Sequence, residues 1–174
     1  MSPRYEQLCR VSGELRVNKE QYSFKGQGLR IRRQGYRKFE GFWGHCWQSC
    51  LFPSGKAFGM NIFPPKEGVK NYAEGFIFNG DGALIPALPV GVPWLKRLEL
   101  EGDQVPLELK TAKGIVRIEG VSYINKRARF SVKLPTYFPP DFPIIQQSHV
   151  KYRWGDEKAT GMMERSTPGN QMEL

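Results

Sequence analysis

No window of a dozen residues in this chain keeps an i, i+3, i+4, i+7 apolar stripe free of Gly, Pro or β-branched interruption. A long amphipathic helix is therefore not expected, because a helix must present one continuous apolar face to a core. What recurs instead is a run of β-prone residues, a turn, and another run. Tyr5 to Val17 opens the series, and the polar tract Asn18 to Gln21 turns the chain into Tyr22 to Ile31. Phe42 to Phe52 follows, closed by Pro53-Ser54-Gly55-Lys56, and Ala57 to Phe63 returns. Asn71 to Phe78 and Ala83 to Val90 flank Asn79-Gly80-Asp81-Gly82, the clearest hairpin signal in the sequence. Leu95 to Glu101, Val105 to Thr111, Ile115 to Ile124, Lys126 to Leu134, Ile144 to Trp154 and Ala159 to Arg165 complete the set. Many short strands at this spacing predict an all-β antiparallel barrel, with a β-sandwich as the alternative.

Alternation sharpens the reading. Phe130, Val132 and Leu134 share one parity against Arg129, Ser131 and Lys133 on the other, so one side of that run meets a core and one meets water. The stretch Pro135 to Pro143 cannot be a central strand and is expected as a loop over one end. Residues 1–165 are read as one domain and residues 166–174 as a flexible tail.

The chain is basic, with a formal net charge of +9, and its densest cluster is Arg30, Arg32, Arg33, Arg37 and Lys38. No stacking motif and no helix-turn-helix pattern accompanies that cluster, so nucleic acid is not expected as a partner. Cys9, Cys46 and Cys50 give an odd count. Cys46 and Cys50 lie four apart in one strand, roughly 13 Å at strand rise, and a disulfide needs Cα atoms within about 7 Å. Reduced thiols and a cytoplasmic setting are expected. The opening Met-Ser-Pro-Arg-Tyr-Glu carries no apolar signal core, and no apolar run reaches the length of a membrane span.

Trp43, His45 and Trp47 share strand parity, and aromatic walls around one imidazole suit an apolar ligand with a single polar handle. Packed core aromatics around a hydrogen-bonded histidine are the structural alternative. Alternation in Ile144 to Trp154 turns Ile144, Gln146, Val150, Tyr152 and Trp154 inward and places His149 outside. Glu74 and Glu164 sit in uncharged surroundings, where desolvation would suit a carboxyl to general acid or base work; structural ion pairing is the other reading. With two His and three Cys at unhelpful spacing, neither a metal nor a cofactor is expected.

Arg4-Tyr5-Glu6-Gln7, Val11-Ser12-Gly13 and Gly26-x-Gly28-x-Arg30, in that order, form a recognisable opening. Phe42-Trp43-Gly44-His45-Cys46-Trp47, Phe52-Pro53-Ser54-Gly55-Lys56-Ala57-Phe58-Gly59 and Gly161-Met162-Met163-Glu164-Arg165-Ser166 continue it. Together they resemble the second, C-terminal lipocalin-like domain of the hydroxyneurosporene synthase (carotenoid 1,2-hydratase) superfamily, in its bacterial branch. The resemblance spans about residues 4–168. It implies a lipocalin- or calycin-like barrel, and a partner barrel that would be a separate chain, a second copy of this one, or a further part of a longer protein. Where the superfamily carries an Asp-His-Asn-Trp-Gly type motif, this chain reads Ile31-Arg32-Arg33-Gln34-Gly35. Only the glycine is kept, so the acid is not carried over.

Three functions are expected from these residues. The first is binding of a hydrophobic small molecule (lipid, polyketide or terpenoid) inside a barrel lined by Trp43, His45, Trp47, Tyr72, Phe76, Gln146 and Tyr152, with Arg30, Arg32 and Arg33 as a rim. The second is an isomerase, cyclase or hydratase using Glu74 or Glu164 with help from His45. The third is an accessory subunit completing a double barrel, which requires a long unpaired edge strand or an exposed apolar patch.

Overall fold

A computed structural model of the chain describes residues 4–35, 41–99, 102–123 and 143–173. It divides into two compact units, Met1–Arg37 and Lys38–Leu174. The first is a ribbon of two antiparallel strands, β1 (Arg4–Val17) and β2 (Glu20–Arg33), with Val17 opposite Glu20 and Arg4 opposite Arg33. Asn18 makes the turn at φ 56°, a conformation that asparagine tolerates better than most side chains.

The second unit contains β3 (His45–Leu51), β4 (Lys56–Ile62), β5 (Ala73–Asn79), β6 (Ile85–Pro86), β7 (Leu88–Gly91), β8 (Leu107–Thr111), β9 (Gly114–Ser122), β10 (Ile144–Trp154) and β11 (Glu157–Thr167). They form one antiparallel sheet in the order β6-β5-β4-β3-β11-β10-β9-β8-β7. Around the sheet each strand lies beside its sequence neighbour, and β11 returns to pair with β3. The two ends of the sheet are consecutive pieces of one segment. β6 pairs with β5 and β7 pairs with β8, while Ala87 between them donates its N–H to the Gly75 carbonyl at 2.9 Å. The sheet therefore nearly closes into a barrel, as the strand pattern and the lipocalin-like expectation required. Pro86 and Pro89 sit in the two halves of that segment. Neither has an N–H, which is why the expected single strand Ala83 to Val90 breaks and changes partner.

Several expectations need correction. Leu95 to Glu101 forms no strand over its described residues. Val90, Leu95 and the residues between them belong instead to the end of β7 and the connection that leads to β8. The chain beyond residue 165 is not a free tail at its start. β11 runs to Thr167, Ser166 and Thr167 are buried, and Glu173 N–H donates to the Lys96 carbonyl at 2.7 Å. A short 3-10 turn, Gly169–Gln171, is the one helical element among the described residues. No helix among the described residues is long and apolar enough to cross a membrane. The run Lys126 to Leu134 and most of Pro135 to Pro143 lie outside the described residues.

Alternation decides the interior. β10 shows it most clearly, with Gln146, Ser148, Val150 and Tyr152 buried and Gln147, His149, Lys151 and Arg153 exposed. Through the pairing register the inward set continues as Met163 and Arg165 on β11, Cys46, Gln48 and Cys50 on β3, and Phe58 and Met60 on β4. One end of the barrel is filled by rings. Phe58 and Tyr152 meet edge to face at 5.0 Å, Phe52 and Trp154 at 5.9 Å. The Tyr152 hydroxyl donates to the Gln48 side-chain oxygen at 2.5 Å.

The interior cysteines give an early test. All three described cysteines are free thiols. Burial pushes the Cys46 thiol up to about 11, with Gln48 and Arg165 pulling weakly the other way, and burial pushes Cys50 up to about 12. Since the thiolate is the nucleophile, about one molecule in a thousand or fewer would present either thiolate at pH 8. An aromatic disulfide reagent added to the native protein is thus expected to modify at most one thiol, Cys9, and all three after unfolding. Fast native modification of Cys46 or Cys50 would contradict the packed interior.

Candidate functional site

The chain enters β3 through Gly41-Phe42-Trp43-Gly44. Gly44 adopts φ 111° and runs so close to the Ser166 carbonyl that any Cβ there would collide with it. Only glycine permits both, and the result is that Phe42 and Trp43 are held at the rim of the barrel beside the end of β11. The Trp43 indole N–H donates to the Pro64 carbonyl at 2.8 Å, and its ring meets Phe63 edge to face at 5.5 Å. Phe63 in turn packs on Tyr72 at 5.0 Å. The ammonium of Lys66 stands 5.0 Å from the centre of the Trp43 ring, within cation–π range.

Phe42, Trp43, Pro64 and Lys66 border a cleft of about 710 Å3. Phe42, Trp43, Pro64, Pro65, Ile144 and Pro168 give it apolar walls, and Lys66, Asn170 and Gln171 supply polar groups at its edge. Its size falls in the range of small-molecule sites.

Phe42 joins the cleft to a polar cluster, its ring lying 5.6 Å from that of His45. His45 Nε2 is 2.8 Å from Glu164 Oε1 and Nδ1 is 2.6 Å from Ser166 Oγ. The Ser166 oxygen also accepts the His45 backbone N–H at 3.0 Å, and the second Glu164 oxygen accepts from the Gln147 amide. Hydroxyl, imidazole and carboxylate thus stand in a row. Ser166 is only 1 % exposed and its oxygen is turned into the backbone of β3. An electrophile has no approach to that oxygen, so the row positions His45 and Glu164 without making Ser166 a nucleophile.

The residues expected to line one pocket are divided between the two faces of the sheet. Gln146 and Tyr152 point inward, where Tyr152 bonds to Gln48 and Gln146 takes two hydrogen bonds from Arg165. His45 and Trp47 share a face, as their spacing requires, but it is the opposite one to Cys46, Gln48 and Cys50 and so lies outside the barrel wall. Phe76 is also on that outer face, its ring over Gly59. Trp43 precedes β3 and lines the rim cleft, and Tyr72 supports it through Phe63.

Glu74 is exposed on the outer face of β5 and accepts from the Tyr72 hydroxyl at 2.8 Å, so it is not a carboxyl within an apolar barrel. Glu164 is likewise outward and paired with His45, the structural reading of that residue. His149 is outside, as expected, with its ring 6.3 Å from Tyr123. Arg30, Arg32 and Arg33 lie on β2 in the first unit, whereas the cleft is built from the second. Ile31 is exposed on the same strand opposite Glu6. Among the described residues no group of three or more His, Cys, Asp or Glu could hold a metal ion.

Sequence reasoning passed over Lys66, Asn170 and Gln171. The Pro64-Pro65-Lys66 step between two β runs was the available signal, since paired prolines fix a stiff turn on which a side chain can be aimed. The second unit is thus a nearly closed, up-and-down antiparallel barrel with an aromatic cleft at its rim and a histidine–carboxylate pair behind it. No family model matches the chain, and neither a curated protein nor a solved structure matches it.

Proposed function

We propose that this protein binds a small molecule with an apolar body and an acidic head group, seated in the rim cleft with the packed barrel as its support. The observation that carries this reading is the cleft itself, about 710 Å3 with the Trp43 and Phe42 rings in its wall and the Lys66 ammonium at its edge. Aromatic and proline rings would bury the hydrocarbon part, and the lysine would meet a carboxylate or phosphate. The inward positions of the barrel are occupied by packed side chains, which favours the rim over the interior as the seat of a lipid, polyketide or terpenoid. The reading keeps the binding role of the superfamily that the chain resembles and leaves out its acid chemistry, since Ile31 stands where that acid would be.

A fluorescent dansylated fatty acid titrated into the protein tests this directly. Saturable binding with energy transfer from tryptophan is expected. Trp43→Ala should weaken it about ten-fold or more, and Lys66→Ala should weaken a charged probe several-fold while leaving its methyl ester unaffected. Binding that is indifferent to both substitutions would remove the cleft as the site.

A further inference from the structure

The ribbon β1–β2 has two unlike faces. Pairing register puts Tyr5, Cys9, Val11, Leu15, Val17, Tyr22 and Phe24 on one of them. Of these, Tyr5, Val11, Leu15, Val17, Tyr22 and Phe24 are each between 39 and 54 % exposed. From Cys9 and Gly28 at one end to Leu15 and Tyr22 at the other, that face carries no charged residue. The other face carries Arg4, Arg10, Arg16, Lys25 and Arg33 together with Glu6, Glu14 and the exposed Ile31. A two-stranded ribbon is marginal by itself in water, and a row of exposed apolar side chains on one side of it marks a contact surface.

We propose that this face is a dimerisation surface, covered by the same face of a second copy of the chain lying antiparallel across a two-fold axis at Val11 and Gly26. Charge chooses among the occupants. A nucleic acid needs cations along the face it touches, whereas here Arg30 and Arg32 supply them at one end alone, and an anionic membrane would repel Glu20 at the other. A second copy answers the pattern at both the ends and the middle. The two ends of the face are oppositely charged, with Glu20 beside the turn and Arg30 and Arg32 at the far end. The antiparallel arrangement brings Glu20 of each copy over Arg32 of the other, and Tyr22 over Arg30. In the middle, Val11 of one copy meets Val11 of the other at the axis, and Gly26 leaves open space beside it. A parallel arrangement would stack tip on tip and lose these pairings. Fourteen residues per strand give a face of roughly 45 by 10 Å. Two such faces would bury on the order of 1,000 Å2, the lower bound for a specific interface. A dimer of micromolar affinity fits that area.

Sedimentation velocity of the full chain, from about 1 to 100 µM, should show a reversible monomer–dimer equilibrium. Val11→Asp places two carboxylates together at the axis and should weaken the dimer about 100-fold or more, with the circular dichroism spectrum unchanged because Val11 is exposed in the monomer. Glu20→Arg and Arg32→Glu should each weaken it, and the two combined in one chain should restore it. A wild-type chain that stays monomeric at about 100 µM would overturn the proposal, as would a Val11→Asp dimer or a double exchange that fails to restore association. Flotation of the monomer with anionic phosphatidylglycerol vesicles, lost in Val11→Asp, would assign the face to a membrane and overturn it equally.

Discussion

Replacing Arg165 by methionine is expected to produce the largest loss of stability of any single side-chain change in the barrel. Arg165 is 2 % exposed and points into the barrel from β11. Its guanidinium donates to Gln146 Oε1 at 3.0 and 2.6 Å, to the Pro93 carbonyl at 3.1 Å and to the Trp94 carbonyl at 3.5 Å, and it pairs with the Asp103 carboxylate. One cation therefore holds both ends of the connection between β7 and β8 across an opening of the barrel. A buried pair contributes little net stability when intact, because desolvation offsets most of the attraction. Breaking it is another matter. The methionine would fill much of the volume but leave Asp103, the Gln146 oxygen and two carbonyls without their donor, and removal of one partner of a buried pair costs about 3–5 kcal/mol. Urea unfolding should register this as a midpoint lower by roughly 2 M at the usual slope for a small protein. Asp103→Asn should cost less, since its side chain keeps 22 % exposure and the amide oxygen can still accept. A methionine variant within about 1 kcal/mol of wild type would mean that Arg165 is solvated.

Arg165 also shows where sequence reading stops. Its neighbours Gly161-Met162-Met163-Glu164 offer no contrast of wet and dry, so parity cannot be assigned there, and Glu164 reads either as a carboxyl in an apolar interior or as an ion-pairing residue. Charge pattern alone does not say which of two adjacent ions faces inward. β3 failed for a related reason. Cys46, Gln48 and Cys50 against His45, Trp47 and Ser49 offer no difference in polarity, and both sets are buried. A strand covered on both faces loses the alternation that reveals its inner side. The larger aromatic set looked like the core, and the smaller one is. β10 keeps one wet face, and there Gln146, Val150, Tyr152 and His149 lie on the expected side, whereas Ile144 at the start of the strand is exposed instead of inward. The turns were legible for a simpler reason. Asn79-Gly80-Asp81-Gly82 joins β5 to β6 with Gly80 at φ 100° and Gly82 at φ 74°, a demand that only a few residue types meet. The rim cleft was half visible. Trp43 was named from its aromatic spacing, but its place depends on Gly44 passing against Ser166, a contact 122 residues apart in sequence.

Gly161→Ala tests the ring-filled end of the barrel. Tyr152 is fully buried and lies directly across from Gly120 on β9, with Gly161 on the neighbouring strand β11. Each glycine leaves room for one flank of the ring. A Cβ at Gly120 would stand 3.0 Å from two ring carbons, and one at Gly161 would stand 2.9 Å from a third. Glycine facing an aromatic across strands lets the ring lie flat over the backbone, and here it does so from both sides. The two sites are not equal. At Gly161 the added carbon would also meet the Ser49 carbonyl and come within 2.8 Å of Cys50 Cβ. Those are fixed parts of β3, so the strands must separate. At Gly120 the nearest backbone atom is the Val105 carbonyl at 2.9 Å, and the rest of the strain falls on a side chain that can tilt. Overpacking of this kind costs about 1–3 kcal/mol, occasionally more, and we expect Gly161→Ala near the upper end and Gly120→Ala about half of that. Tyr152→Leu combined with Gly161→Ala should recover little, because the collision with the Ser49 carbonyl remains after the ring is gone. Chemical denaturation of the three variants ranks them. If Gly120→Ala proved the more damaging, or if the leucine rescued the alanine, the ring rather than the β3–β11 contact would set the width of the barrel.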